Sequence, residues 1–570
     1  NSRATLFAVL DSTVTSAGRR LLYQRLINPL TDRSRIEERL AAVEELFLQR
    51  GIRQRLRSLL KNTGDLSRYL ARLSTNRGTP RDLLGLKETL EIVPQIRELL
   101  SELKSPLLLT THQRLHEEND LLDELRSALV DEPPISSKEG NIFRDGYDPE
   151  VDHLRELTRG GQEWLERLER EERLRTGIPN LKVGYNRIFG YYIEITKSHL
   201  DKIPSRYRRR QTLVGAERFT VPELEEFEER ILTAAERLKE REEELYQALV
   251  NRVLSRASAI QDIAQGLAEL DLQAALAEKA EVERYHRPHL YDDYRLILRG
   301  SRHPVMEALM PPGESFTPND IEIIPEGSGI FLITGPNMAG KSTFLRQVAL
   351  CVIMAQMGSF VPAEEVHIGI VDRILTRIGA MDNLAGGEST FLVEMQETAS
   401  ILHNASSRSL ILFDEIGRGT STFDGLALAW SIVEYLHQSF SPPPRTLFAT
   451  HFHELTELEH YLPRVHNLNV AVQEYGDKVV FLHRLVPGAS DRSFGIYVAQ
   501  MAGIPASVVS RAKEVMSNLE GMVTGFNESS SHLTQSFKST TSPVSSSHSQ
   551  KSKGFPRSVS VQLRLFDPSE

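Results

Sequence analysis

The sequence has a single cysteine, Cys351, and no paired groups of cysteine and histidine. It therefore lacks the residues for a disulfide framework or a structural zinc site. A lone cysteine in an apolar stretch is typical of a buried helix residue. Apolar runs of about 20 residues, the length needed to cross a bilayer, are also missing. We therefore expect a cytoplasmic protein without membrane partners.

The sequence has fewer positively than negatively charged residues: 68 lysines and arginines against 78 aspartates and glutamates, which gives a net charge of −10. A uniformly basic coat for nucleic acid is excluded, so any nucleic-acid contact must be local. The chain has 570 residues, 40% of them hydrophobic. Because single cores stop growing near roughly 250 to 300 residues, the sequence predicts several domains.

The first part of the chain has helical periodicity. Between Ser16 and about Val130 apolar residues recur three and four positions apart, as in Ile36, Leu40, Val43 and Phe47. Glycines and prolines interrupt this pattern at intervals and separate one helix from the next. We predict an all-α scaffold.

The middle of the chain changes character twice. Between about Gly161 and Val221 the helical rhythm gives way to alternation, as in Tyr191, Ile193 and Ile195, which predicts a small β-containing insertion. The charged run that follows has apolar residues from Leu224 to Leu249 at spacings of three, four and seven. This stripe predicts a long arm helix packed against another helix.

The last part of the chain combines an α/β pattern with a polar tail. Strands and helices alternate from about Leu290 to Glu520, which is typical of βαβ units and a parallel sheet. After Gly521 the sequence is rich in serine and threonine and poor in apolar residues. We expect this tail to be a disordered tether.

A phosphate-binding motif of the form GxxxxGK[ST] follows an apolar strand predicted at 330–333. Backbone N–H groups of such a loop, at the start of a helix, cradle phosphates. Lys341 is expected to meet the β and γ phosphates of ATP, and Ser342 to hold Mg²⁺. The motif residues are Gly335, Pro336, Asn337, Met338, Ala339, Gly340, Lys341 and Ser342, followed by Thr343.

Two further strands place reactive side chains near this loop. The strand at 410–413 ends in Asp414 and Glu415, at the sheet edge where open α/β sheets bind ligands. Asp414 suits the Mg²⁺ shell, and Glu415 suits a general base for the attacking water. The strand at 446–449 delivers His451, which can donate to the γ-phosphate or position water. A histidine satisfied by backbone groups is the alternative, and the missing HExxH pattern argues against zinc.

In order and spacing these motifs resemble the MutS family of DNA mismatch-repair ATPases. The matching runs are 334–343, 389–391 with Glu394 and Met395, 414–421 and 449–451, and further matches lie at 190–193, 302–305 and 493–496. The resemblance covers nearly the whole chain and implies a multidomain protein. Its all-α core and lever helices carry a small β-containing clamp insertion and precede an α/β ABC-type P-loop ATPase domain that dimerises.

The resemblance also implies how the chain is divided. The expected parts are core and lever helices at 1–160, the clamp insertion at 161–222, a returning arm at 223–287, the ATPase domain at 288–516 and the tail at 517–570. The chain opens at Asn1 without a methionine. We expect a fragment that lacks the N-terminal mismatch-recognition and connector domains, and therefore DNA binding without preference for a mismatch.

Several site residues follow from the resemblance alone. Gly386 to Ser389 matches the family's signature loop, from which Ser389 reaches the γ-phosphate in a partner subunit. Phe316 matches a residue lining the adenine pocket, and His483 an aromatic position stacking on the base. The segment 494–516 resembles the helix-turn-helix dimer contact. The resemblance further implies a homodimer, a MutL-type repair partner and association with the bacterial nucleoid.

Two segments are candidates for macromolecular contacts. The clamp insertion carries Lys202, Arg206, Arg208, Arg209 and Arg210 with no acidic residue between them. This run suits double-stranded DNA phosphates, although on composition alone a solvated surface is an equal alternative. The tail carries Gln562, Leu563, Leu565 and Phe566. These residues resemble the peptide that bacterial proteins dock into the replication sliding clamp.

Three other functions remain open on the sequence. The ATPase subunit of a transporter shares the P-loop and the paired carboxylates, but it needs a surface that couples to membrane partners. A MutS relative acting in recombination or junction binding shares most motifs. A purely structural scaffold leaves Lys341, Ser342, Asp414 and Glu415 without a purpose.

Overall fold

The computed structural model describes residues 4–159, 161–186, 190–336, 339–379, 390–475, 478–489 and 494–527. The chain divides into two compact units. One is built from Thr13–Gln24 and Glu44–Ala275, and the other from Asn1–Ser12, Arg25–Val43 and Leu276–Glu570. Among the described helices none is long and apolar enough to span a membrane.

The first part of the chain is helical, as predicted. Its helices are α1 (Leu6–Leu10), α2 (Ser16–Ile27), α3 (Arg33–Leu48), α4 (Arg50–Leu60), α5 (Leu66–Ser74), α6 (Pro80–Leu100), α7 (Pro106–Arg114), α8 (Asn119–Ala128) and α9 (Pro149–Arg159). Local chemistry sets their ends. Helix α6 begins with a capping box, in which the Thr79 hydroxyl accepts from the Asp82 N–H and the Asp82 carboxylate accepts from the Thr79 N–H at 2.7 Å. Buried Arg53 donates to the last carbonyls of α3, at 3.0 Å from Leu46 O.

The insertion contains a helix before its strands begin. Its elements are α10 (Gly161–Thr176), β1 (Lys182–Asn186), β2 (Gly190–Thr196), β3 (Arg208–Thr212) and β4 (Ala216–Thr220), followed by α11 (Pro222–Ser255) and α12 (Ala257–Glu283). The strands form one antiparallel sheet in the order β1-β2-β4-β3. Leu165 and Leu168, three residues apart, pack from α10 onto the core of this sheet, and the strands begin only at Lys182.

The arm helix predicted after the insertion is α11, and it packs against α9. Leu224, Phe227 and Leu249 of the predicted stripe are buried. The buried face of α11 also includes the charged residue Glu242 and the amphipathic residue Tyr246. Neither belongs to the predicted stripe. A charged residue inside the packed face requires a partner, because an unpaired buried carboxylate is costly.

The unit that includes Leu276–Glu570 contains most of the α/β elements. They are β5 (His289–Tyr291), β6 (Leu296–Ser301), α13 (Pro304–Leu309), β7 (Asn319–Ile323), β8 (Ile330–Thr334), α14 (Lys341–Met357), β9 (Glu365–Gly369), β10 (Ile374–Arg377), α15 (Thr390–Asn404), β11 (Leu410–Asp414), α16 (Thr422–Ser439), β12 (Arg445–Ala449), α17 (Leu458–Tyr461), β13 (Val465–Tyr475), β14 (Lys478–Pro487), α18 (Gly495–Met501) and α19 (Ala506–Asn527).

These strands form two sheets in the described residues. The larger has the order β10-β11-β12-β8-β13-β14, and its strands are parallel except for the edge strand β14. The smaller has the order β5-β9-β6-β7 and is mixed. Every residue of β8 and β12 is buried, as expected for strands covered on both faces. The predicted parallel sheet is therefore confirmed, with an antiparallel edge and a second sheet added.

Helix α14 follows the central strand β8 and is buried along most of its length. Cys351 lies on it and is fully buried, as expected for a structural cysteine, and burial raises the pKa of its thiol to about 12. The position of α14, directly after β8, places its first turn at the carboxyl edge of the larger sheet.

Candidate nucleotide site

The loop between β8 and α14 contains two glycines with positive φ angles. Gly335 has φ +132° and Gly340 has φ +104°, values that glycine adopts and other residues rarely do. Gly335 also approaches β13, since a Cβ there would lie 3.3 Å from the Val470 backbone nitrogen. The loop ends at the N-terminus of α14, whose N–H groups favour an anion. Asn337 and Met338 lie outside the described residues.

Lys341 is the first residue of α14, and its side chain is nearly fully buried. Its ammonium donates to the carbonyls of the same loop, at 2.5 Å from Gly335 O and 3.2 Å from Pro336 O. Burial lowers the pKa of Lys341, while the nearby Glu415 and Asp414 carboxylates act in the opposite direction. A buried cation is thus held beside the loop and the two carboxylates.

The two carboxylates lie where the strand order predicts. Asp414 pairs in register with Ala449 of β12, and Ala449 pairs with Ile333 of β8, two residues before the phosphate loop. The Oδ1 atom of Asp414 is buried and has no hydrogen-bond partner among the described residues. An unsatisfied buried carboxylate oxygen fits a hard cation such as Mg²⁺, which prefers oxygen ligands. Ser342, the other predicted ligand, is half-buried on the first turn of α14.

Glu415 has φ +58°, a left-handed conformation that costs a non-glycine residue roughly 1 to 2 kcal/mol. Its backbone N–H donates to Ala449 O at 2.9 Å, and its carboxylate forms an ion pair with Arg418 at 2.5 Å. Burial raises the pKa of Glu415, with Arg418 and then Lys341 opposing the rise. A carboxylate with a raised pKa suits proton abstraction near neutral pH. Arg418 lies within a recognised motif, yet its contact with Glu415 was not predicted.

His451 follows β12 and is half-buried next to Phe452, with 4.1 Å between the ring centroids. Burial lowers its pKa, and the positive charges of Arg418 and Lys341 add to this effect. Its Nδ1 atom is buried without a hydrogen-bond partner in the described part of the chain, which is unlike a histidine satisfied by backbone. The structure thus brings Lys341, Glu415 and His451 into one electrostatic cluster.

His483 lies on β14 and reaches the phosphate loop from the other side. Its Nδ1 atom lies 3.0 Å from Ala339 O, an acceptor, so that nitrogen carries the proton. Buried Asn319 holds the strand here, because its amide donates to His483 O at 3.0 Å and accepts from Leu485 N–H at 2.7 Å. Nothing in the sequence around Asn319 indicated this role. His483 therefore contacts the phosphate loop.

Phe316 is half-buried, and its ring centroid lies 6.5 Å from that of His303. His303 caps α13, since its Nδ1 accepts from the Met306 N–H at 3.1 Å. It is 6% exposed, and burial lowers its pKa from 6.5 to about 4. A neutral imidazole therefore flanks Phe316. His303 was identified in the sequence only as part of a matching segment.

Replacing His303 by asparagine tests this burial. The folded state resists protonation of His303. The contribution of its neutral imidazole to the free energy of unfolding is therefore fully present above pH 6.5 and is lost as the pH falls toward 4. The wild type should therefore lose about 2 kcal/mol of stability between pH 7 and pH 5 at this residue. Asparagine keeps the helix cap without titrating, so urea unfolding of His303→Asn should show a loss smaller by that amount. Equal losses in both proteins would contradict this explanation.

The predicted DNA-contact residues do not form a bare positive surface. Acidic residues from neighbouring elements pair with each arginine: Glu172 and Glu223 with Arg206, Glu225 with Arg208 and Arg210, and Glu217 with Arg209. The Arg208 and Arg209 side chains are 71% and 61% exposed, whereas Arg206 is 28% exposed and tied to buried Glu172. Lys202 is exposed at the end of a short 3₁₀ helix.

The remaining predicted sites are only partly described. The segment resembling a helix-turn-helix forms α18 and α19, with an apolar groove of about 550 Å³ between them. The groove is lined by Ile496, Ser507, Val508, Arg511, Ala512, Val515 and Met516. Ser389 and the rest of the signature loop lie outside the described residues, as do Gln562, Leu563, Leu565 and Phe566.

Comparison with known proteins gives a consistent result. The model of MutS domain III matches residues 1–277, and the model of MutS domain V matches residues 331–520. Relatives named DNA mismatch repair protein MutS from Salinibacter ruber and Rhodopirellula baltica are each 50% identical to this chain over 90% of its length. One from Symbiobacterium thermophilum is 49% identical over 91%. The chain spans 57%, 58% and 59% of these relatives, respectively. On these matches, which together cover most of its length, the chain belongs to the MutS family.

Proposed function

We propose that this chain is the ATP-hydrolysing and DNA-clamping part of a DNA mismatch-repair protein. It acts as a dimer that closes on double-stranded DNA and hydrolyses ATP at composite sites. The observation that carries the proposal is the cluster of Lys341, Asp414, Glu415 and His451 at the carboxyl edges of three adjacent strands. The names of the relatives support mismatch repair as the process.

Each residue of the cluster has a distinct proposed role. Lys341 neutralises phosphate charge, and the N–H groups at the start of α14 orient the phosphates. Asp414 and Ser342 hold Mg²⁺, which when bound neutralises charge on the β and γ phosphates. Glu415 accepts the proton of the attacking water, and His451 orients that water or donates to the γ-phosphate.

The nucleotide base and the dimer complete the proposed site. Phe316 and His483 line the pocket for the adenine, and Ser389 of the partner subunit completes the site at the γ-phosphate. Helices α18 and α19 form the dimer contact, and their exposed apolar groove supports this assignment. A MutL-type protein and the replication sliding clamp are the proposed further partners, the latter through Leu565 and Phe566.

Two measurements on the purified chain test the proposal. The first is phosphate release from ATP with Mg²⁺ and with a chelator, and the second is binding of fluorescent homoduplex and G·T duplex DNA. We expect Mg²⁺-dependent hydrolysis and similar affinities for the two duplexes. A chain that binds DNA without hydrolysing ATP would remove the ATPase assignment, and one that hydrolyses ATP without binding DNA would remove the clamp assignment.

Arg208 and Arg209, the most exposed arginines of the predicted DNA-contact run, should carry the DNA contact. Arg208→Gln and Arg209→Gln are each expected to weaken binding to homoduplex DNA by about 1 kcal/mol, independently of sequence. Each should also reduce the slope of log K against log salt by about 1, because one phosphate contact is lost. Fluorescence anisotropy at several salt concentrations measures both quantities.

Arg126→Gln is the matched control, because Arg126 is 49% exposed and also ion-paired, but lies on α8. It should leave both the affinity and the salt slope unchanged. An unchanged salt slope in both insertion variants would show that the arginines belong to a solvated surface.

A further inference from the structure

Glu394 is a buried carboxylate on α15 that the mechanism above does not use. It is 6% exposed, and its Oε1 atom accepts the backbone N–H of Gly417 at 2.6 Å. Gly417 comes two residues after Glu415. A charged acceptor makes this a strong hydrogen bond, and the surroundings exclude water from it.

The loop between β11 and α16 is confined on two sides. Gly417 has φ +90°, and a Cβ there would lie 2.7 Å from the Gly425 Cα on α16. Gly419 faces α15 instead, because a Cβ there would lie 2.9 Å from the Phe391 Cβ. The loop therefore runs in a narrow space between the first turns of α15 and α16, and Glu394 binds it from the α15 side.

Glu394 is itself held in place by Arg377 of β10. The Nη2 atom of Arg377 lies 3.4 Å from Glu394 Oε2, and Arg377 is 5% exposed. The same guanidinium also contacts Glu397, whose Oε2 lies 3.0 Å from Nε and whose side chain is 48% exposed. Arg377 therefore compensates the charge of Glu394 through Oε2, while Oε1 accepts the Gly417 N–H.

We propose that Glu394 is a positioning residue for Glu415. The left-handed backbone of Glu415 is unfavourable and persists only when neighbouring contacts enforce it. Before Glu415, the pairing of β11 with β12 holds the backbone in place. After Glu415, the hydrogen bond from the Gly417 N–H to Glu394 does so. By fixing the backbone that follows Glu415, Glu394 keeps the Glu415 carboxylate at the point where the water is activated. The inference rests on the proposed ATP hydrolysis.

Three variants separate positioning from simple structure. Glu394→Ala should lower kcat for ATP about 100-fold, because a displacement of about 1 Å in a catalytic group has that effect, and should change KM less than about twofold. Glu394→Gln should recover most of the rate, since its amide oxygen can accept the same N–H. Glu397→Gln is the matched control, because Glu397 shares Arg377 but does not contact the loop, and it should behave as the wild type.

A readout independent of turnover accompanies the kinetics. Hydrogen exchange of the peptide containing Gly417 should be faster in Glu394→Ala than in Glu394→Gln or Glu397→Gln. Wild-type kcat in Glu394→Ala, or equal loss in the alanine and glutamine variants with unchanged exchange, would overturn the positioning role. If alanine prevents folding, Glu394→Asp takes its place, because its shorter side chain keeps the charge near Arg377 but withdraws the acceptor from Gly417. A lowered kcat with faster exchange would support the role, and wild-type kcat with faster exchange would overturn it. A wild type that hydrolyses no ATP would instead remove the proposed function, and this inference with it.

Discussion

Replacing Glu415 by alanine is expected to lower ATP turnover by about 100-fold to 10,000-fold, the contribution usual for a general base. Affinity for ATP should change little, because the cation of Lys341 and the backbone of the phosphate loop remain. The carboxylate is half-buried beside Lys341 and Arg418, so it is held ready to accept a proton. Single-turnover hydrolysis and equilibrium binding of ATP measure the two quantities separately.

Glu457→Ala provides the control for this variant, because Glu457 is an exposed carboxylate of the same unit. It should hydrolyse ATP at the wild-type rate. Turnover of Glu415→Ala within twofold of the wild type would contradict the assignment of the base. A loss of ATP affinity that explains the whole effect would assign Glu415 to binding instead.

Replacing Glu242 by alanine should lower the free energy of unfolding by about 3 kcal/mol, because it removes the buried partner of Arg155 and leaves this arginine paired with the exposed Asp145. Glu242 is 1% exposed on α11 and lies 2.5 Å from Nη2 of Arg155, which is 7% exposed on α9. Its other oxygen accepts the Asn141 N–H at 2.6 Å. One carboxylate therefore joins the arm helix, α9 and the segment between α8 and α9.

Glu244→Ala is the comparison within the same helix turn. Glu244 is 68% exposed and pairs with Arg241 at 3.1 Å, so its removal should cost less than about 1 kcal/mol. Urea unfolding followed by circular dichroism distinguishes the two variants. Similar midpoints for Glu242→Ala and Glu244→Ala would show that the buried pair contributes little.

The elements that carry the candidate nucleotide site were predictable from short sequence patterns. Strands β8 and β11 consist mainly of apolar residues, and β12 ends in an apolar run. Glu415 directly follows β11, His451 comes shortly after β12 and Lys341 follows the phosphate loop after β8, so chain order indicated the sheet edge at which they lie. Helix α10 was harder to distinguish, because its apolar residues are few and its charged residues many. The predicted insertion therefore contains a helix as well as strands.

Contacts between distant residues could not be predicted in this way. The basic run of the predicted clamp insertion contains no acidic residue, yet folding brings Glu172, Glu217, Glu223 and Glu225 to its arginines. The same holds for Asn319 beside β14 and for Glu394 beside Gly417. Such pairs depend on strand order and helix packing, which periodicity does not define.

We propose that ATP hydrolysis in this chain responds to DNA. The most direct test is steady-state ATP turnover as linear or circular homoduplex DNA is added, with Glu415→Ala measured in parallel. We predict turnover that changes with DNA concentration in the wild type and is close to background in the variant at every concentration. Wild-type turnover that stays constant across the DNA titration would contradict the claim and leave an ATPase without coupling to DNA.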